Sequence, residues 1–200
     1  MTTPSTRSPA PDGRALRSER SRRAIHEALF ALVGEGVLQP TAQQVADRAG
    51  VGIRTVFRHF EDMDALLAEI HARVAAEVAP LVTAPVPEGS LEERARGLVA
   101  RRAALFERVA AYKRSGDVQR WRSPFLRARH AALVRELRAA LLRWLPELED
   151  APADLVEALD LAVSFEAWDR LRSEQRLGPA RARAALEHLV VTLVRALPRR

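Results

Sequence analysis

Apolar residues recur three and four positions apart along nearly the whole chain. Nowhere do they alternate with polar residues in the way a half-buried strand requires. Ile25, Leu29, Leu32 and Val33 form one such stripe, Leu66, Ile70, Val74 and Val78 a second, and Leu133, Leu137, Leu141 and Leu145 a third. A chain patterned this way has only helices with which to cover its apolar surface, so the predicted fold class is all-α. With 200 residues and 48% hydrophobic content it can bury a real core, as one domain or two modest ones.

The punctuation between stripes sets the order of elements. Pro, Ser, Thr and Gly dominate the first 13 residues, and 1–17 reads as a disordered arm. The helical pattern begins at Ser18 and stops at Gly34 and Gly36. Thr41 and Gln44 are spaced as a capping box ahead of a short helix whose apolar side is Val45, Ala46 and Ala49. Gly50 ends that helix. Ile53, Val56, Phe57 and Phe60 then recur at i, i+3, i+4 and i+7. Asp62 is read as the cap of a long helix up to Pro80, with Asp64 in its first turn, where a carboxylate suits the helix dipole. The break "TAPVPEG" holds the domain boundary or lies just after it. Ser90 and Glu93 make a second capping box, "KRSGD" interrupts the pattern, and Ser123-Pro124 is a cap followed by Pro at the first helical position. "LPELEDAP" reads as a loop. Two long helices, about Ala153 to Gln175 and Pro179 to Leu197, close the chain.

Charge and composition narrow the function. The formal charge is +6, and Lys113 is the only lysine. Residues 1–60 hold nine arginines against five acids, so +4 of the excess lies in the first third. A local positive excess points to an anionic partner, most often nucleic acid. The chain has no cysteine, which removes disulfides, thiol chemistry and cysteine-based zinc sites. His26, His59, His71, His130 and His188 are scattered. There is no His-Glu-x-x-His and no glycine-rich phosphate loop, so an enzyme, a metal and a cofactor are not expected. No apolar run precedes Ile25 and none later reaches the length of a membrane span. The expectation is a cytoplasmic chain with no membrane attachment.

Short helix, turn at Gly50, short helix is a helix-turn-helix. At 100° per residue, Ile53, Val56, Phe57 and Phe60 share one side of the second helix, and Arg54, Thr55, Arg58 and His59 the other. The apolar side is expected to dock on the preceding helices and the polar side to face a partner. These residue types suit DNA: Arg grips guanine with two hydrogen bonds, and Thr offers a hydroxyl to phosphate or a methyl to thymine. Arg54, in the first turn, is expected to read bases, and His59, near the helix end, to meet the backbone.

"TAQQVADRAGVGIRTVFRHFEDMDAL" resembles the DNA-binding segment of the TetR/AcrR family of transcriptional regulators. The pattern is met by Thr41, Val45, Ala46, Ala49, Gly50, Val51, Thr55, Val56, Phe57, His59 and Phe60. The resemblance is specific over about residues 18–70. Three positions depart from it: Phe57 stands where the family often has Tyr, Gly52 replaces the usual Ser at the recognition-helix cap, and Met63 replaces a frequent Lys. The resemblance implies an all-α homodimer with an N-terminal domain that binds double-stranded operator DNA. It divides the chain into a helix-turn-helix domain at 18–63, a connecting helix at 64–84 and an effector-binding and dimerisation domain at 85–200. Thr41, Gly52, Arg54, Thr55, Arg58 and His59 would lie at the DNA. A ligand-responsive repressor on a palindromic site is the implied function. The competing reading is a helical protein-interaction module of the same fold that has lost specific DNA binding.

The second half offers candidates rather than motifs. Leu155, Leu159, Val163, Leu186, Leu189, Val190 and Leu193 line the two last helices, and the resemblance assigns them to a four-helix dimer interface. Phe106, Trp121, Phe125, Trp144, Phe165 and Trp168 are the aromatic candidates to line a pocket for a small-molecule inducer, with Tyr112 beside them. Arg102 and Arg122 are the candidates to admit an anionic one.

Overall fold

The computed structural model describes residues 13–61 and 63–197. These residues are helical throughout, with no strand among them, and they divide into two compact units between Ile70 and His71. The N-terminal arm up to residue 12 and the cap expected at Asp62 lie outside the described residues.

In the first unit, α1 (Gly13–Gly34) packs on α2 (Ala42–Ala49) and α3 (Ile53–His59). Helix α1 begins inside the stretch read as an arm, so residues 13–17 are its first turn. Ile25, Leu29, Leu32 and Val33 are buried, as are Val45, Ala46, Val56 and Phe60. The first half of α4 (Met63–Thr83) adds Leu66, Leu67 and Ile70 to the buried set. Glu69 of α4 bonds both Arg22 and His26 of α1.

The second unit is built around α5 (Leu91–Gln119), which packs on α6 (Pro124–Trp144), α8 (Phe165–Asp169) and α9 (Pro179–Arg195). Helix α7 (Ala153–Ala162) also lies on α9. The second half of α4 belongs here, with Val78 in the same core as Leu98, Phe106, Leu141, Trp168 and Val190. The division therefore falls inside the helix read as a connector, rather than at "TAPVPEG", because α4 buries its two halves in different cores.

Three other expectations change. Helix α5 runs straight through "KRSGD", with Gly116 inside it. A glycine in a helix interior costs about 1 kcal/mol, too little to end a helix held on three neighbours. "LPELEDAP" is a 3₁₀ turn over Pro146–Asp150. The expected helix from Ala153 to Gln175 is broken at Ser164, whose hydroxyl accepts from the Ala167 backbone N–H at 3.1 Å and starts a new helix, α8. The break leaves the Val163 carbonyl outside the helical pattern, and Arg102 donates to it at 2.9 Å from within the core.

Candidate DNA-binding surface and a cavity in the second unit

Local chemistry fixes the helix-turn-helix. Thr41 accepts from the Gln44 backbone N–H at 3.2 Å, and Gln44 accepts from the Thr41 backbone N–H at 2.9 Å. The Thr41 hydroxyl also donates to Gln44 Oε1 at 3.2 Å, so this residue is occupied as a cap. Gly50 takes the left-handed conformation (φ 65°) that ends α2, and Val51 N–H then reaches back to the Ala46 carbonyl at 3.0 Å. Gly52 caps α3 with no side chain to accept from it, and open space surrounds the position where a Cβ would stand.

Helix α3 shows a narrower buried stripe than the sequence pattern suggests. Only Val56 and Phe60 are buried; Ile53 is 37% exposed and Phe57 50% exposed. The expected four-residue apolar side is corrected to two. The reason is angular: the four residues span about 100° of arc, and this helix presents only the Val56–Phe60 sector to the core. Phe57 falls beside Arg54 and Arg58 on the opposite side. Both arginines are exposed and make no hydrogen bond or ion pair among the described residues. Thr55 and His59 are half-buried at one margin. Burial, then Arg58 and Arg22, push the His59 pKa below the usual histidine range, so its ring is neutral at pH 7. Its Nε2 is buried without a hydrogen-bond partner among the described residues. Phe57 was missed as a surface residue, and the signal available was the shortness of α3.

The second unit holds a partly open cavity of about 270 Å³ between the second half of α4, α5 and α6, with Phe165 of α8 also in its wall. Phe106, Trp144 and Phe165 line it; Trp121, Phe125 and Trp168 do not. Trp121 lies in the turn between α5 and α6, 68% exposed, beneath the Arg122 guanidinium at 4.4 Å. Phe125 meets the His71 ring edge-on at 5.8 Å. Trp168 is core, its indole N–H donating to Glu107 at 3.1 Å. Tyr112 and Arg102 are also in the wall, and Arg122 is not.

Polar residues the sequence reading passed over gather at the far end of this cavity. Lys113 Nζ donates to Asp117 Oδ2 at 2.5 Å, stands 3.5 Å from Glu166 Oε1, and lies over the Phe165 ring. Arg120 Nη1 and His130 Nδ1 are 3.4 and 3.8 Å from Asp117 Oδ1, and both are buried without a hydrogen bond. Burial holds the pKa of His130 and of His71 below the usual range; Lys113 and Arg120 add to the effect on His130, and Arg129 on His71. Burial also pushes Arg102 down to about 10, still charged at pH 7, and its guanidinium rests on the Val163 and Leu137 carbonyls. A signal for Lys113 was present: it follows Arg102, Leu105, Phe106 and Val109 at helical spacing, a charge continuing an apolar stripe.

The interface candidates separate into two groups. Leu159, Val163, Leu186 and Val190 are buried in the core of their own unit. Leu155 and Leu193 are partly buried against the same core. Leu189 (43% exposed) remains, joined by Leu161 of α7 at 67%, which the sequence reading did not select. A long apolar stripe is wide enough to serve an intrachain core along one edge and solvent along the other.

Residues 25–70, the segment that holds the helix-turn-helix, match the family model described as "Bacterial regulatory proteins, tetR family". The chain is similar to the HTH-type transcriptional regulator TcmR of Streptomyces glaucescens, 31% identical over 177 residues, covering 82% of this chain and 73% of that protein. The chain belongs to the TetR family of transcriptional regulators. In fold it resembles a transcriptional regulator from Rhodococcus sp. Rha1, with a TM-score of 0.64 at 21% identity over 89% of this chain and 96% of the other. It also resembles a TetR-family regulator from Mesorhizobium loti, with a TM-score of 0.59 at 18% identity over 90% and 97%. Membership makes DNA binding the family-level role and places the chain among transcriptional regulators. No helix among the described residues is long and apolar enough to cross a membrane.

Proposed function

We propose that the chain is a cytoplasmic, ligand-responsive repressor that binds a palindromic operator as a homodimer. The observation that carries this reading is the outer face of α3. Two exposed arginines, with no ion pair among the described residues, stand beside a half-exposed phenylalanine on a helix that follows the Gly50 turn and starts at Gly52. Guanidinium groups held that way suit guanine edges and phosphates, and the Phe57 ring suits a thymine methyl. Arg54 reads bases, Arg58 and Thr55 flank it, and His59 meets the backbone. The cavity is the effector site, and the outward residues of α7 and α9, Leu161 and Leu189, form the dimer contact. A dimer presents two recognition helices related by a two-fold axis, so the operator is an inverted repeat. Selection from a random duplex pool tests this. Enrichment of inverted repeats is the expected result, and enrichment of sequences with no internal symmetry refutes the dimeric-operator reading.

A further inference from the structure

The wall of the cavity is unbalanced in charge. Arg101, Arg102, Lys113, Arg120 and Arg129 line it against Asp117 and Glu136, five cations to two carboxylates. Arg101 and Arg102 rest on backbone carbonyls, the first on Ala84 and Pro85, the second on Val163 and Leu137. At the far end Asp117 bonds Lys113 and lies 3.4 Å from Arg120, Glu166 stands 3.5 Å from Lys113, and Glu136 faces Arg129 at 3.4 Å. Arg120 Nη1 and His130 Nδ1 remain beside Asp117, buried and without a hydrogen bond. Unmade hydrogen bonds of this kind are costly, and a group that supplies them gains the difference on binding. Away from that end, Val78, Leu105, Phe106, Leu133 and Trp144 make the wall largely apolar, with the Arg101 guanidinium over the Trp144 ring. Lys113 is the chain's only lysine, a compact ammonium in a protein that otherwise uses arginine, and it points to this same end.

Resting on the effector reading above, we infer that the cavity takes a ring-sized apolar molecule bearing one acidic oxygen group, a carboxylate or an ionised phenol. The acidic group sits at the Lys113–Arg120–His130 end. There it accepts from Arg120 Nη1 and receives the field of Lys113. His130, neutral at pH 7, bonds the same group with Nδ1 as donor. The rings lie along α5 toward Trp144. The shared chemistry of carboxylate and phenolate is what the site recognises.

The test uses 2-naphthoate and its uncharged methyl ester, titrated into the full chain by calorimetry at pH 7.5. Wild type should bind naphthoate about 10–100-fold more tightly than the ester, the range of a charged hydrogen bond. Arg120→Gln should bring naphthoate down to within about threefold of the ester. A second measurement needs no variant. Acetylation of Lys113, read by peptide mass against the α-amine, should slow when naphthoate is present. Equal binding of the two probes, or unchanged Lys113 labelling with naphthoate bound, overturns the acidic-head assignment and leaves the effector reading standing. If neither probe binds wild type, the cavity is not a site for such ligands and both readings fall.

Discussion

Two glycines in α5 invite the same substitution with opposite results. Gly116 lies inside the helix, and a Cβ placed there would meet His71 Cε1 and Nε2 at 3.7 and 3.8 Å, ordinary contact distances. Gly116→Ala therefore gains helix propensity of about 1 kcal/mol with no steric charge against it. Gly97 sits 19 positions earlier in the same helix. A Cβ there would stand 3.0 Å from Trp144 Cζ3, 3.5 Å from Cη2 and 3.8 Å from Pro87 Cγ. The Trp144 ring is 4% exposed, with the Arg101 guanidinium 4.4 Å from its centre, so it has little room to withdraw. Overpacking of a core costs about 1–3 kcal/mol, which cancels or exceeds the propensity gain. Gly116→Ala should raise the melting temperature of the second unit by about 2–5 °C, and Gly97→Ala should leave it level or lower it by a similar amount. Differential scanning calorimetry on both variants measures the difference. A destabilising Gly116→Ala would mean that α5 does not run unbroken through "KRSGD". An equally stabilising Gly97→Ala would mean that the Trp144 packing is looser than described.

Other outcomes follow from single features. Leu161→Glu with Leu189→Glu should yield monomer in sedimentation at micromolar concentration while helix content is kept; a dimer of unchanged affinity would remove α7 and α9 from the interface. His59, His71 and His130 are all held below the usual histidine pKa, so the unfolded chain binds more protons than the folded one as pH falls. The stability they contribute is present above the unfolded value of about 6.5 and is lost below it. The melting temperature should drop between pH 7 and pH 5.5, and His71→Phe should flatten that slope; an unchanged slope would mean His71 stays exchangeable with solvent. Met63→Lys, at the start of α4, should steepen the log–log salt dependence of DNA binding by about one unit without altering sequence choice. An unchanged slope would show that this helix end stays away from the backbone.

What the sequence made legible was local. Thr41 with Gln44, Ser90 with Glu93 and Ser123 with Pro124 carry their helix starts within four residues, and all three caps are in place. The turn between α2 and α3 was legible for the same reason, since Gly50 ends α2 through bonds to its own last turn. Depth was not legible. Periodicity gives the direction in which a side chain points, not how far the neighbouring element covers it, so Phe57 and Ile53 were assigned to a core that stops short of them. The same limit hid how far their own chain covers Leu159, Val163, Leu186 and Val190. The break at Ser164 was hidden because Leu155, Leu159 and Val163 keep helical spacing up to it. The polar end of the cavity needed α4, α5 and α6 together: Lys113, Asp117 and Arg120 follow one another at helical spacing, but His71 and His130 come from other helices and nothing in the sequence joins them to that group.

The central claim is that the outer face of α3 reads operator DNA, with Arg54 reading bases and His59 only the backbone. Its most direct test is equilibrium binding of wild type, Arg54→Ala and His59→Ala to a selected operator and to every single-base variant of one half-site, at fixed salt. Arg54→Ala should lose about 1–3 kcal/mol on the operator and become indifferent to the base at one position in each half-site. His59→Ala should weaken every duplex by nearly the same factor. A uniform loss across the whole panel from Arg54→Ala would contradict the account, making Arg54 a phosphate clamp and leaving base reading to Phe57, Thr55 or Arg58.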